Sequence, residues 1–414
     1  MKIIRKNSRE ILIYLLFLFL PFFDSLNGFL VRTQNYYGVG SFYHLLLIVM
    51  LSCLAYASAK FKYGYYEKYL IIMILGICIS VMINSIFGTQ IQSINIERLE
   101  KLICTVLSIA CLNRLMNKNI LSKKEFKRIV DLQLLLVPLI TLIANFMGVG
   151  NYTYQAAKVG KIGFYTGSNE PVIVFGMIAC ITLSILIRDF SLKYLILFFS
   201  DILCLIYVQS KMGYLMTALI GLAAVLCLLG NFLKRKRVKP MYLLGSIPFI
   251  VGGIVVGRNT FSKTIGDFLS RQAYQSQYLS SEGTLAFLSS GRTLRFESLL
   301  GPITDGNPLY VLFKIFFGQG AGFGYSELFE MDYMDAFLYG GIFLLSVLVL
   351  LSIRIVKNAK KNCNEKLSVF AILLVLAYAF VAGHLWTGGV SGLYFALFVG
   401  YYTQISPDYY KKEI

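Results

Sequence analysis

The stretch Gly318-Gln319-Gly320-Ala321-Gly322-Phe323-Gly324, followed by Glu327, Glu330, Asp332 and Asp335, closes the only extended region of this chain that is not strongly apolar. That region runs from Arg258 to Asp335 and carries Ser290-Gly291-Arg292-Thr293-Leu294-Arg295 near its middle. The flanking sequence on both sides is built of apolar runs long enough to cross a bilayer. The fold therefore reads as a membrane protein that holds one long polar segment.

Composition gives the same answer. Of 414 residues, 57% are hydrophobic and only 14% charged, where a soluble domain carries about 25% charged residues. Spans of about 20 apolar residues fall at 10–30, 41–59, 69–88, 100–116, 129–148, 171–188, 193–209, 212–232, 240–257, 334–354, 367–385 and 389–405. The expected fold is an all-α polytopic membrane protein with about twelve transmembrane helices. Residues 1–257 would hold the first nine helices, 258–333 a large extracytoplasmic loop, and 334–414 the last three helices and a tail. The basic, then apolar, N-terminus reads as a first span rather than a removed leader.

The net charge of +18 does not indicate nucleic acid, because the basic residues cluster in alternate loops. With the N-terminus inside, the inner loops carry Lys60, Lys62 and Lys68, then Arg114 to Arg128, Arg188 and Lys193, Lys234 to Lys239, Arg354 to Lys366, and Lys411 and Lys412. This is the positive-inside pattern. It expects both termini in the cytoplasm and the polar segment outside.

The outer side retains Arg32, Arg98, Lys101, Lys158, Lys161, Lys211, Arg258, Lys263, Arg271, Arg292, Arg295 and Lys314. Some are ordinary solvated loop charges. Lys211 has almost no loop around it and needs a partner or a path to the interface. Arg292 and Arg295 can grip phosphate, or pair with Glu282 or Glu297. Of Glu327, Glu330, Asp332 and Asp335, most suit a helix N-terminal cap, and one or two could accept a proton near the membrane surface. The alternating glycines are a flexible loop or an anion-binding nest. His384 beside Trp386 is an interfacial anchor or a substrate contact, and His44 carries the same alternatives. Asp24 and Asp201 lie within spans, where carboxylates pair with cations or pass protons. Asn169 and Glu170 open a helix at Pro171, as cap or as substrate contacts. Leu309–Phe317 is apolar but too short to span, which suits a re-entrant or interfacial helix. The eight cysteines show no metal spacing, and no metal or other cofactor is expected.

Together, a Ser-Lys pair opening a helix, Ser-Gly-Arg in the loop, Phe-Gly-x-Gly-x-Gly, and acidic residues before Tyr339-Gly340-Gly341-Ile342 resemble the Wzy-type polysaccharide polymerases. The O-antigen ligases are related in layout. The resemblance implies a membrane glycosyltransferase of the C-type fold. It would move a glycan from undecaprenyl pyrophosphate to a sugar hydroxyl of another lipid-linked repeat unit, in the bacterial cytoplasmic (inner) membrane. It implies Arg292 and Lys211 facing the pyrophosphate, with Glu330 or Asp332 taking the acceptor proton. Arg258, Arg295, Lys161, Asn169, Glu170 and His384 would contact substrate. Flippase and chain-length regulator proteins would be partners beside the bilayer itself. Ligases show His-Asn before the final block, where this chain has Glu330-Met331-Asp332, and that favours a polymerase. A transporter of lipid-linked or anionic solute is the alternative of a different class. It should show paired halves and broken helices, neither of which the sequence displays.

Overall fold

The computed structural model describes residues 2–35, 38–57, 63–88, 93–155, 158–233, 301, 303, 306–321, 330–363 and 366–405. Among them the chain is all-helical, with a single isolated bridge between Tyr154 and Val159. In order the helices are α1 (Lys2–Gln34), α2 (Val39–Tyr56), α3 (Tyr65–Ile86), α4 (Ser93–Asn117), α5 (Lys123–Phe146) and α6 (Asn169–Arg188). There follow α7 (Leu192–Val208), α8 (Lys211–Leu233), α9 (Pro308–Phe317), α10 (Asp332–Cys363), α11 (Lys366–Ala382) and α12 (Gly389–Gln404). Eleven of the expected spans overlie α1–α8 and α10–α12. The span expected at 240–257 and most of the polar segment lie outside the described residues. Six described helices are long and apolar enough to cross a bilayer, which makes this an α-helical membrane protein.

Two helices form the centre. Every residue of α6 from Pro171 to Ile185 is buried, and so is every residue of α12 from Ser391 to Thr403. Helices that are apolar on all faces belong inside a bundle. α12 packs on α4, α6 and α10, and α6 packs on α7, α8 and α11. The outer helices bury one stripe and turn the other outward: Leu15, Phe19 and Phe22 on α1, Leu75 and Met82 on α3, and Leu135, Leu139 and Ile143 on α5 are exposed. In water such a surface would be a liability. In hydrocarbon it is the required one.

Helix ends are set locally. Ser122 caps α5 by accepting from Glu125 N at 3.3 Å, the arrangement of half a capping box. α9 starts with Asn307 as cap and Pro308 in the first turn, and stops at Gly318, whose φ is 72°. α7 and α8 meet at Gln209, which is left-handed with φ 51°.

α10 is broken. Gly340 and Gly341 leave helical geometry, Gly341 at φ 61° and ψ −158°. The end of α9 fills the break: Gln319 N donates to Leu338 O at 2.7 Å and Gly320 N to Tyr339 O at 3.0 Å. Ser80 Oγ also donates to Tyr339 O at 2.9 Å, and Asn84 Nδ2 to Gly318 O at 3.1 Å. The freed carbonyls are thus satisfied inside protein, the condition for irregular backbone at membrane depth. The expectation of unbroken helices is corrected here: adjacent glycines permit the break, and its partners come from α3 and from beyond α9.

Candidate functional site

One end of the bundle encloses a polar cavity of about 570 Å³. Its wall gathers Asp24 and Asn27 from α1, Ser41 and His44 from α2, Glu97, Arg98 and Lys101 from α4, and Asn169 and Glu170 from the start of α6. The 153–168 connection adds Thr153, Thr166 and Ser168, and the segments flanking α10 and α11 add Glu330, His384 and Thr387. A second cavity of about 330 Å³ adjoins it, sharing Ser41, His44, Glu97, Lys101 and Gly389. This one runs down between α2 and α4 along Leu45, Ile48, Cys104, Thr105, Ser108 and Leu393, and its wall is mostly apolar.

Helical spacing explains this division. Positions 97, 101, 104, 105 and 108 lie on one face of α4, and 41, 44, 45 and 48 on one face of α2. On each face the residues pass from charged or polar at the helix start to apolar or small further in. α4 begins at Ser93, two turns before the apolar run that marks its span, and those two turns supply Glu97 and Arg98.

The charged groups are arranged unequally. Lys101 Nζ pairs with Glu97 Oε1 at 2.6 Å, and both remain partly exposed. Arg98 makes no hydrogen bond or ion pair among the described residues. His44 Nε2 meets Asp24 Oδ1 at 2.6 Å, with the two side chains 12% and 5% exposed. Asp24 Oδ2 is buried and has no hydrogen-bond partner among the described residues. No group of His, Cys, Asp and Glu among the described residues is placed to hold a metal ion.

Asp332 does not face this cavity. It is fully buried. One oxygen accepts from His384 N at 3.0 Å and Thr387 Oγ1 at 2.7 Å, the other from Leu385 N at 2.7 Å and Trp386 N at 3.0 Å. Three successive amides and a hydroxyl fill the carboxylate, so its capacity as an acceptor is spent on holding the 384–387 turn. That turn is what presents His384, at φ 63°, and Thr387 to the cavity. Ser391 Oγ donates to His384 O and anchors the turn to α12. Asp335 is buried one turn further into α10.

Of the residues singled out from sequence, Asn169, Glu170, Glu330 and His384 share the cavity wall. Lys161 does not: its Nζ donates to Asn145 O at 2.9 Å and its backbone N to Tyr207 O at 2.7 Å, tying the 151–163 loop to α5 and α7. Lys211 opens α8 at the same end of the bundle but off this wall. Arg258, Arg292 and Arg295 lie outside the described residues, as do Glu327 and Gly322 to Gly324. Arg98 and Lys101, which the sequence groups with ordinary outer charges, are the arginine and lysine of the described wall. The signal for them was their position on the polar face at the head of α4.

The arrangement suits a polar ligand joined to an apolar one. Carboxylates, amides and hydroxyls accept and donate to sugar hydroxyls. Lys101, where the polar and apolar cavities join, and Arg98 on the polar wall can meet an anion, and the cleft below accommodates hydrocarbon. Neither a scan against protein-family models nor a search of curated proteins finds a match to this chain.

Proposed function

We propose that this protein is a membrane glycosyltransferase of the polysaccharide-polymerase type, with about twelve spans and the cavity at the outer face of the bacterial cytoplasmic membrane. It would transfer a glycan from undecaprenyl pyrophosphate to a sugar hydroxyl of a second lipid-linked repeat unit. The observation that carries this reading is the adjacency of the two cavities, a sugar-compatible wall meeting an apolar cleft at His44 and Lys101, with Arg98 on the polar side. Both termini and the basic helix ends opposite the cavity, such as Lys68, Arg114, Lys118 and Lys360, then face the cytoplasm. The resemblance adds Arg292 and Lys211 as further cations for the pyrophosphate.

Chemically, breaking the bond between the anomeric carbon and pyrophosphate pushes negative charge onto the leaving oxygen. A fixed guanidinium stabilises that charge more than it stabilises the bound substrate. Glu170, Glu330, Asn169 and Thr387 are placed to orient the sugars. Asp332 serves by holding the turn that carries His384 and Thr387.

Purified protein supplied with lipid-linked repeat units should lengthen chains. Arg98→Ala should slow lengthening on the order of 100-fold, the cost of about 3 kcal/mol for losing one such contact. In cells, deletion should leave single repeat units at the surface. Intact chains that fail to attach would indicate a ligase instead.

A transporter is the second reading, because α10 is broken and carboxylates outnumber lysine and arginine on the described wall. Broken helices mark substrate sites in many transporters. Under that reading, deletion would make lipid-linked units accumulate on the inner face.

A further inference from the structure

We propose that His44 is the general base that takes the acceptor hydroxyl's proton, with Asp24 positioning it. This rests on the transfer reaction proposed above. The geometry is that of an oriented imidazole. Asp24 reaches His44 Nε2 from the neighbouring helix at 2.6 Å. A carboxylate so placed accepts the Nε2 proton, which leaves Nδ1 as the bare nitrogen of the neutral ring. Nδ1 faces the junction of the two cavities: a Cβ built on Gly389 would lie 3.9 Å from Nδ1 and 3.6 Å from Lys101 Cε. The base and a cation thus face one point at the mouth of the apolar cleft.

A carboxylate buried within a helix of this kind is costly unless something uses it. Asp24 has one oxygen on His44 and the other buried away from solvent, with the Tyr394 hydroxyl of α12 close to the carboxylate. Two other carboxylates are less well placed. Asp332 is saturated by its four donors, and Glu97 is paired with Lys101 and largely exposed.

In the step, the acceptor hydroxyl gives its proton to His44 Nδ1 and its oxygen bonds to the anomeric carbon. The bond from that carbon to the pyrophosphate oxygen breaks, and its electron pair leaves with the pyrophosphate toward Arg98 and Lys101. The imidazolium then releases its proton to water. The charged and titratable groups around His44 are Asp24 from α1, Glu97, Arg98, Glu100 and Lys101 from α4, and Glu170, Glu330 and His384 across the cavity. α12 contributes Gly389 and Leu393 beside His44, and Tyr394 of α12 and Tyr43 of α2 stand near Asp24.

The test is the initial rate of chain lengthening against pH, with purified protein and lipid-linked repeat units. The wild type should lose rate as pH falls, because the base must be unprotonated. His44→Gln should lower kcat on the order of 10²- to 10⁴-fold, abolish that acidic limb and leave the donor KM within a few-fold. Added imidazole should restore part of the rate to His44→Ala, which a folding defect would not allow. Asp24→Asn should lower kcat and move the acidic limb without changing KM. The proposal is overturned if His44→Gln keeps the wild-type rate, or keeps the limb while Glu330→Gln loses it. Either result would leave the polymerase reading standing. A wild type that lengthens no chains would remove that reading and the base with it.

Discussion

Asp332 and Glu330 are separated by one residue yet stand in opposite situations. Asp332 is enclosed by three amides and a hydroxyl from 384–387; Glu330 lines the open cavity. Replacing Asp332 with Asn removes the charge and turns one acceptor oxygen into a donor facing donors. A buried donor left without its partner costs about 1–3 kcal/mol. Asp332→Asn should therefore lower the thermal unfolding midpoint in detergent by several degrees relative to the wild type. Equal midpoints would mean that the carboxylate does not hold the turn. The sequence shows an acidic run before a helix, and a cap is a fair reading of it. Which carboxylate is filled depends on donors fifty residues later, which no local pattern contains. The same holds for His44 and Asp24: each is visible as a polar residue in a span, but their pairing requires knowing how α1 crosses α2.

At the scale of elements, apolar runs located the helices well and their charged ends poorly. A search for spans stops where charges begin, and so it leaves out the first two turns of α4, where Glu97 and Arg98 stand just ahead of Lys101. It also reads α10 as continuous, because Gly340-Gly341 is as apolar as its surroundings. The break depends on both glycines and on the backbone packed into it. Gly341 has φ 61°, a strained value for a residue with a side chain, and its missing Cβ would overlap the backbone of Ile315 and Phe316 in α9. Gly341→Ala should detach α9 from α10, costing at least about 2 kcal/mol of strain and lost contact. It should appear as faster proteolysis between α9 and α10 and a lower unfolding midpoint. Gly221→Ala, where nothing lies within 4 Å of the added carbon, is the matched control and should behave as wild type. If the two variants behave alike, the docking of α9 into the break contributes little.

For the whole molecule, the helical membrane class follows from composition alone, since a chain this apolar must satisfy its backbone within helices. Which way it sits is the part that charge leads one to expect. The cavity end holds the connections after α1, α3, α5, α7 and α11, while the opposite end carries Lys68, Lys118, Lys193, Lys360 and Lys361. Under the proposed function that basic end lies in the cytoplasm, as the positive-inside rule expects, and a substrate already carried across the membrane would meet the cavity from outside. α6 offers the cleanest test, because its 20 residues span about 30 Å and join the two ends directly. Gly167 stands before it on the cavity wall, with nothing within 4 Å of an added Cβ, and Lys193 stands exposed at the start of α7 beyond it. On a background with the native cysteines replaced, Gly167→Cys should react with a membrane-impermeant maleimide in intact cells. Lys193→Cys should react only after permeabilisation. The reverse pattern would put the cavity in the cytoplasm, where it would serve nucleotide-linked or newly made lipid-linked sugars rather than exported repeat units. Labelling of both sites from outside would show that α6 does not cross the membrane, and the bundle would need a different placement in the bilayer.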